Sequence, residues 1–189
     1  MKRFIIVLIF LSIAAALSGC SNKHSIELTS SSVSIINDKS ISGSIEITEG
    51  VKKGKKLVPT VLCYKFTIKN TGRKKVGGIG NKGLSLKIEP HDKLKNSLED
   101  IIGFNVFNSD AYMNTGLGHG ESTVPMLKRG EEGNYILTYD LGVSEESPNT
   151  KLITPSDEKL KEINDKALDA SLIVICDGKE IARFDLNSK

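Results

Sequence analysis

The sequence predicts an all-β domain of antiparallel strands arranged as a sandwich, and three observations carry that expectation. Apolar and polar residues alternate with period two along several runs, most clearly over residues 58–69. Turn chemistry recurs between the runs, as Asn70-Thr71-Gly72, Gly130-Glu131-Glu132-Gly133 and Asp177-Gly178. Past the apolar N-terminal stretch, clear helical periodicity is confined to one segment, so the strand–helix rhythm of a parallel α/β sheet is missing.

Taken in order, residues 33–36 read as a short apolar strand. Residues 41–48 alternate Ile41, Gly43, Ile45 and Ile47 against polar partners, and residues 49–56 form a turn rich in glycine and lysine. Residues 58–69 are the best strand: Leu62, Tyr64, Phe66 and Ile68 share one face, and Cys63, Lys65, Thr67 and Lys69 the other. A glycine-rich loop leads to the alternating run 84–88, ended by Pro90. Residues 92–102 admit a second short helix with Leu94, Leu98, Ile101 and Ile102 on one face. Residues 103–108 suit a strand, residues 108–121 a long loop, and residues 122–126 a short edge piece broken by Pro125. Tyr135, Leu137 and Tyr139 alternate along a strand at 134–141. The clear helix covers about 157–168, capped by Ser156 or Asp157, with an acidic first turn and a stripe of Leu160, Ile163, Ala167 and Leu168. Residues 171–176 and 180–186 close the chain as a hairpin around Asp177-Gly178, with Ile173, Ala182 and Phe184 expected to face inward and Cys176, Leu172 and Arg183 outward.

The first residues carry an address. Lys2 and Arg3 supply a basic start, and residues 4–16 are almost unbrokenly apolar, a length that fits the ~7–15 residues of a signal segment and falls short of the ~20 that span a bilayer. Leu17-Ser18-Gly19-Cys20 follows, and this run resembles the lipobox of bacterial lipoproteins. The resemblance implies cleavage after Gly19, a diacylglyceryl group on the Cys20 sulfur, further acylation of palmitate type, and residence on the extracytoplasmic face of the cell membrane. An ordinary secretory signal with a chance cysteine and an uncleaved anchor are the alternatives. The resulting organisation is a signal peptide at 1–19, a lipidated cysteine and polar, serine-rich tether at 20–32, and a single domain at 33–189.

Composition narrows the function. The formal charge of +3 falls to near +1 once Lys2 and Arg3 leave, so nothing favours nucleic acid as a partner. Two basic clusters, Lys52-Lys53-Gly54-Lys55-Lys56 and Arg73-Lys74-Lys75, read as solvated turns or as sites of attraction to anionic lipid headgroups. Tryptophan is absent and aromatics are sparse, which weakens a case for stacking sugars or bases. With Cys20 committed to the anchor, Cys63 and Cys176 are either a disulfide pair or two separate thiols. Gly78-Ile79-Gly80-Asn81-Lys82-Gly83 matches the letters of a dinucleotide fingerprint, but an alternating strand follows it where a helix is required. His119, Glu121 and Ser122 are close in sequence without a nucleophile elbow, and His24, His91 and His119 lack metal-ligand spacing; no catalytic residue, cofactor or metal is expected.

Tyr64-Lys65-Phe66-Thr67-Ile68-Lys69-Asn70-Thr71-Gly72 resembles the central strand of immunoglobulin-like extracellular domains of Gram-positive lipoproteins, a likeness extending over about residues 41–187. It implies an immunoglobulin-like β-sandwich and brings no catalytic residues. The chain departs from antibody-type domains in lacking the core tryptophan. The expected function is therefore a membrane-anchored module that binds an envelope protein or peptide, through the 103–121 loop or a sheet edge. An immunity or stress-protection lipoprotein, an envelope enzyme and a transporter-associated solute-binding component are the alternatives.

Overall fold

Residues 60–70 carry an inward-facing apolar row, Leu62, Tyr64, Phe66 and Ile68, at the centre of the core, and that row sets the architecture. The computed structural model describes residues 26–80 and 83–187; the signal segment, Cys20, and Asn81 and Lys82 of the glycine loop lie outside the described residues. Strands β1 (Ile26–Ile36), β4 (Thr60–Asn70), β7 (His119–Ser122) and β9 (Glu132–Gly142) form one sheet in the order β1-β4-β9-β7. A second sheet has the order β11-β10-β6, from β6 (Leu84–Pro90), β10 (Ala170–Cys176) and β11 (Lys179–Asp185). Two short ribbons complete the pairing, β2 (Ile45–Glu46) with β3 (Lys56–Leu57), and β5 (Val76–Gly77) with β8 (Met126–Leu127). All these strands pair antiparallel, and no sheet closes on itself. Among the described residues the domain is all-β, with short α-helices α1 (Lys39–Ser42), α2 (Asp92–Ile102) and α3 (Asp157–Lys166) and a 3-10 turn at Ser109–Tyr112.

One hydrophobic cluster draws on both larger sheets and both longer helices. Leu62, Tyr64, Phe66 and Ile68 of β4 meet Leu86 and Ile88 of β6, Leu172 and Val174 of β10, and Tyr135, Leu137 and Tyr139 of β9. Helix α2 contributes Leu94, Leu98 and Ile102, and Ile163 and Ala167 come from α3 and its C-cap. Tyr64 sits at the centre and is fully buried. Its ring stacks on Phe66 and meets Tyr139 edge-on, with centroids 5.9 and 6.3 Å away, and its hydroxyl donates to the Ala167 carbonyl at 2.7 Å. That carbonyl belongs to the end of α3, where helix oxygens lack partners in their own helix.

Several expectations are corrected by pairing that period-two reading does not see. Strand β1 begins at Ile26, inside the serine-rich stretch read as tether. A bulge at Thr29 changes the parity of the strand, so Leu28 is followed by Val33 and Ile35 on the core side. Residues 41–48 are not one strand. Asp38 accepts from the Ser40 N–H and caps α1, and Gly43 turns the chain at a φ of 71°. Residues 103–108 form turns that bury Val106, with no strand. In the terminal hairpin a bulge at Ile181 sets Val174 opposite Ala182 and Leu172 opposite Phe184, so Leu172 faces the core together with Ala182 and Phe184. The hairpin turn itself has positive φ at Asp177 and Gly178, 53° and 70°, as Asp-Gly favours.

The Cys63–Cys176 bridge is not formed: Cys63 carries a free thiol. Cys63 lies on the face of β4 opposite Tyr64, whereas Cys176 packs against the core from the other sheet, so the two sulfurs are on opposite sides of β4. Burial pushes the Cys63 thiol above its ordinary pKa and keeps it protonated at neutral pH.

Removing the Tyr64 hydroxyl tests the core's polar link. Tyr64→Phe keeps the ring but strands the Ala167 carbonyl, and the expected loss is about 1–2 kcal/mol in urea unfolding, with an unchanged m-value.

Candidate functional site

Beyond the inward row, the outer face of the four-stranded sheet is covered only in part, and there the chain builds a cleft of about 450 Å³. Thr138 and Asp140 of β9 point outward, alternating with the buried Leu137 and Tyr139, and form its floor. One wall is the α1 turn from Ile41 to Ile45; the other is the run Gly116 to Gly120 entering β7.

Asp140 organises that second wall. Its Oδ2 accepts the Gly118 N–H at 2.9 Å, its own N–H donates to the Gly118 carbonyl at 3.0 Å, and its carbonyl accepts the Tyr112 hydroxyl at 2.9 Å. Burial raises the Asp140 pKa above its ordinary value, against the Gly118 hydrogen bond and the neighbouring His119, which pull it down. Gly116 makes the wall's turn at a φ of 72°, in a position where a Cβ would lie 1.8 Å from the Asn149 carbonyl oxygen. Gly120 lies against Thr138, leaving 2.9 Å between a Cβ and the threonine hydroxyl oxygen.

The wall continues as β7, an edge strand of the sheet whose four residues are all exposed. Its main chain is bonded to β9 on one side, and its other side has no strand beside it among the described residues. His119 stands opposite Tyr139 and stacks on its ring at 6.3 Å, and Glu121 stands opposite Leu137. Ser122 falls on the other face of the strand, so strand geometry separates the His-Glu-Ser group. Chemically the cleft offers hydroxyls, glycine backbone and one half-buried carboxylate that is already engaged by Gly118, a lining suited to holding main chain and small polar groups.

The remaining sequence candidates separate. The glycine loop leads directly into β6 and is pinned by the N–H groups of Gly78 and Leu84, which donate to the Pro125 carbonyl at 3.1 and 2.9 Å. His91 bonds Ser171 at 3.0 Å, far in sequence from His119. Among the described residues no three His, Cys, Asp or Glu side chains are placed to share a metal ion, and no helix is long and apolar enough to cross a membrane. Lys52 and Lys55 both pair with Glu145. Sequence reading located the Gly116–Gly120 wall as part of a recognition loop but missed Asp140 and the α1 turn. The signals for the turn were Asp38 two residues before Ser40, and Gly43.

Scans against protein-family models, curated proteins and solved structures each returned no match, so the chain's own geometry carries its functional reading.

The raised Asp140 pKa has a signed consequence. The folded state holds this proton more tightly than the unfolded chain does. Wild-type stability therefore declines on this account as pH rises from the ordinary value of 3.8 through the raised folded value. Asp140→Asn keeps an oxygen for the Gly118 N–H and removes that slope. Urea unfolding between pH 3 and 7 is expected to show the variant gaining stability relative to wild type as pH rises across that window. A difference independent of pH would refute the burial effect.

Proposed function

We propose that this chain is a lipoprotein of the extracytoplasmic face of the cell membrane, held by acyl chains on Cys20, whose single domain is an immunoglobulin-like sandwich that binds an envelope protein or peptide without catalysis. The observation that carries the binding reading is the cleft beside an uncovered edge strand. An extended peptide laid along β7 would add main-chain hydrogen bonds to the sheet, and the Ser42, Ser44 and Thr138 hydroxyls in the cleft would receive its polar groups.

The sandwich reading is supported by strand order. With the two ribbons set aside, β1, β4, β6, β7, β9, β10 and β11 taken as A to G give sheets A-B-E-D and G-F-C, the arrangement of seven-stranded immunoglobulin domains of constant type. The shared core between these sheets supports it further. The non-catalytic reading draws on Asp140 being engaged by its own loop, and on His119 and Ser122 occupying opposite faces of β7.

Anchoring is supported by the lipobox-like run and by simple energetics. Each buried CH₂ contributes about 0.8 kcal/mol, so one acyl chain binds reversibly, whereas the two of a diacylglyceryl group hold the chain in place. The cleft then faces away from the membrane, because β1 enters the domain at the Asn70 end of β4 while Asp140 lies opposite Val61 at the other end.

In cells fed a labelled fatty acid, the wild-type chain is expected to incorporate label and Cys20→Ala to incorporate none; equal labelling would overturn the anchor. A photo-crosslinking residue at Ser44, in the wall of the cleft, is expected to capture a protein adduct in intact cells. The same residue at Glu180, on the other sheet, is expected to capture none. The reverse pattern would move the binding surface away from the cleft.

A further inference from the structure

We infer that the Asn70 end of the domain is a footprint for an anionic lipid surface, in which Arg73, Lys74, Lys75, Lys128 and Arg129 supply charge and Ile79 supplies an apolar tip. The inference rests on the proposed anchoring at Cys20 and says how the anchored domain stands.

The footprint is built by one buried side chain. Asn70 is fully buried at the end of β4, and its Nδ2 lies 2.8, 3.1 and 3.1 Å from the carbonyl oxygens of Lys74, Leu127 and Lys128. Its Oδ1 accepts the Gly72 N–H at 3.0 Å, and its backbone exchanges hydrogen bonds with Gly130 and Glu131. Two loops distant in sequence are thereby clamped side by side, each presenting basic residues. All five cations are exposed, and none has an ion-pair partner among the described residues. The glycine loop is fixed to the same end through Pro125, next to β8, and holds Ile79 out with 94% of its surface exposed.

The carboxylates at this end do not cancel the charge. Glu131 turns back to accept the Lys128 N–H at 2.6 Å, Glu132 pairs with Lys69 at 3.4 Å, and Glu27 stands opposite Lys69 on β1. The hairpin turn beside Leu84 adds no net charge, since Lys179 offsets Asp177 and Glu180 pairs with Arg183. The five cations and Lys69 against Glu131, Glu132 and Glu27 therefore leave +3, more than the near +1 of the whole mature chain, so the remainder is net negative. Near an anionic membrane each such cation raises affinity by roughly fivefold.

Geometry selects this end over the other basic cluster. Ile26 pairs with Asn70, and residues 21–25 let Cys20 lie no more than about 22 Å from Ile26. Strand β4, 11 residues long, carries the chain roughly 35 Å away to the end where Lys52 and Lys55 already share Glu145. Val51 is exposed there as well, but it lies beyond the reach of a short tether on an upright domain.

The absence of tryptophan makes the test direct. Full-length protein is produced in cells with Ile79→Trp or Val51→Trp, purified, and placed with vesicles of phosphatidylcholine alone or with about a third phosphatidylglycerol, including brominated lipid as quencher. On anionic vesicles the tryptophan at 79 is expected to shift to the blue and lose at least half its emission. That signal should vanish in 1 M salt, where screening acts within about 3 Å. It should also vanish when the five cations are changed to glutamate, with the circular dichroism spectrum unaltered. The tryptophan at 51 should stay unquenched. Equal quenching at both positions, or no quenching at 79, would overturn the footprint. The mass of the N-terminal peptide of the same preparation reports the anchor separately: a chain without lipid removes the anchoring, while the tryptophan signal on added vesicles still decides the footprint.

Discussion

The hydrogen bond from the Tyr64 hydroxyl to the Ala167 carbonyl, made with neither group exposed, is the constraint around which the domain is arranged. It joins the centre of β4 to the end of α3, which runs from β9 of one sheet to β10 of the other. A buried hydroxyl and a helix-end carbonyl would each be costly alone; together they satisfy one another and fix where α3 ends. The surrounding aromatic contacts with Phe66, Phe107 and Tyr139 hold the ring in one place, so the helix, β4, β9 and the 103–108 turns share a single reference point.

The two ends of the four-stranded sheet are specialised by polar residues of opposite kind. At one end Asn70, neutral and fully buried, gathers carbonyls and N–H groups from two loops and leaves their cations in solvent. At the other, Asp140 is half-buried and holds the Gly118 backbone, shaping a cleft in place of a charged rim. An amide can both donate and accept, so it can join several strands of backbone; a carboxylate only accepts, so it braces one loop and keeps a charge near the surface. The proposed division between a membrane-facing end and a binding end follows from that difference.

What was legible in the sequence was local. The strands around Tyr64, Leu86 and Tyr139, the two longer helices and the Asp177-Gly178 turn are all encoded by residues adjacent in the chain or one helical turn apart. The bulges at Thr29 and Ile181 were not legible, since each adds one residue to a strand and reverses which side chains face the core. A run of serines in β1 looks like tether until it is seen pairing with β4 along its full length. The α1 turn was hidden in the same way, because isoleucines at alternate positions imitate a strand while Asp38 and Gly43 close the backbone into a short helix.

By itself the sequence determined the strand character of the chain, its two longer helices, the Asp177-Gly178 turn, the basic clusters and the lipobox-like run that points to Cys20. Only the tertiary structure decided that Ile26 lies beside Asn70, that Arg73 and Lys128 present one surface, that Cys63 and Cys176 face away from each other, and that Asp140 lines a cleft. The physical reason is range. Periodicity and turn preference act over a few residues, whereas strand pairing and side-chain clamps join positions tens of residues apart, and their geometry exists only once the chain has closed on itself.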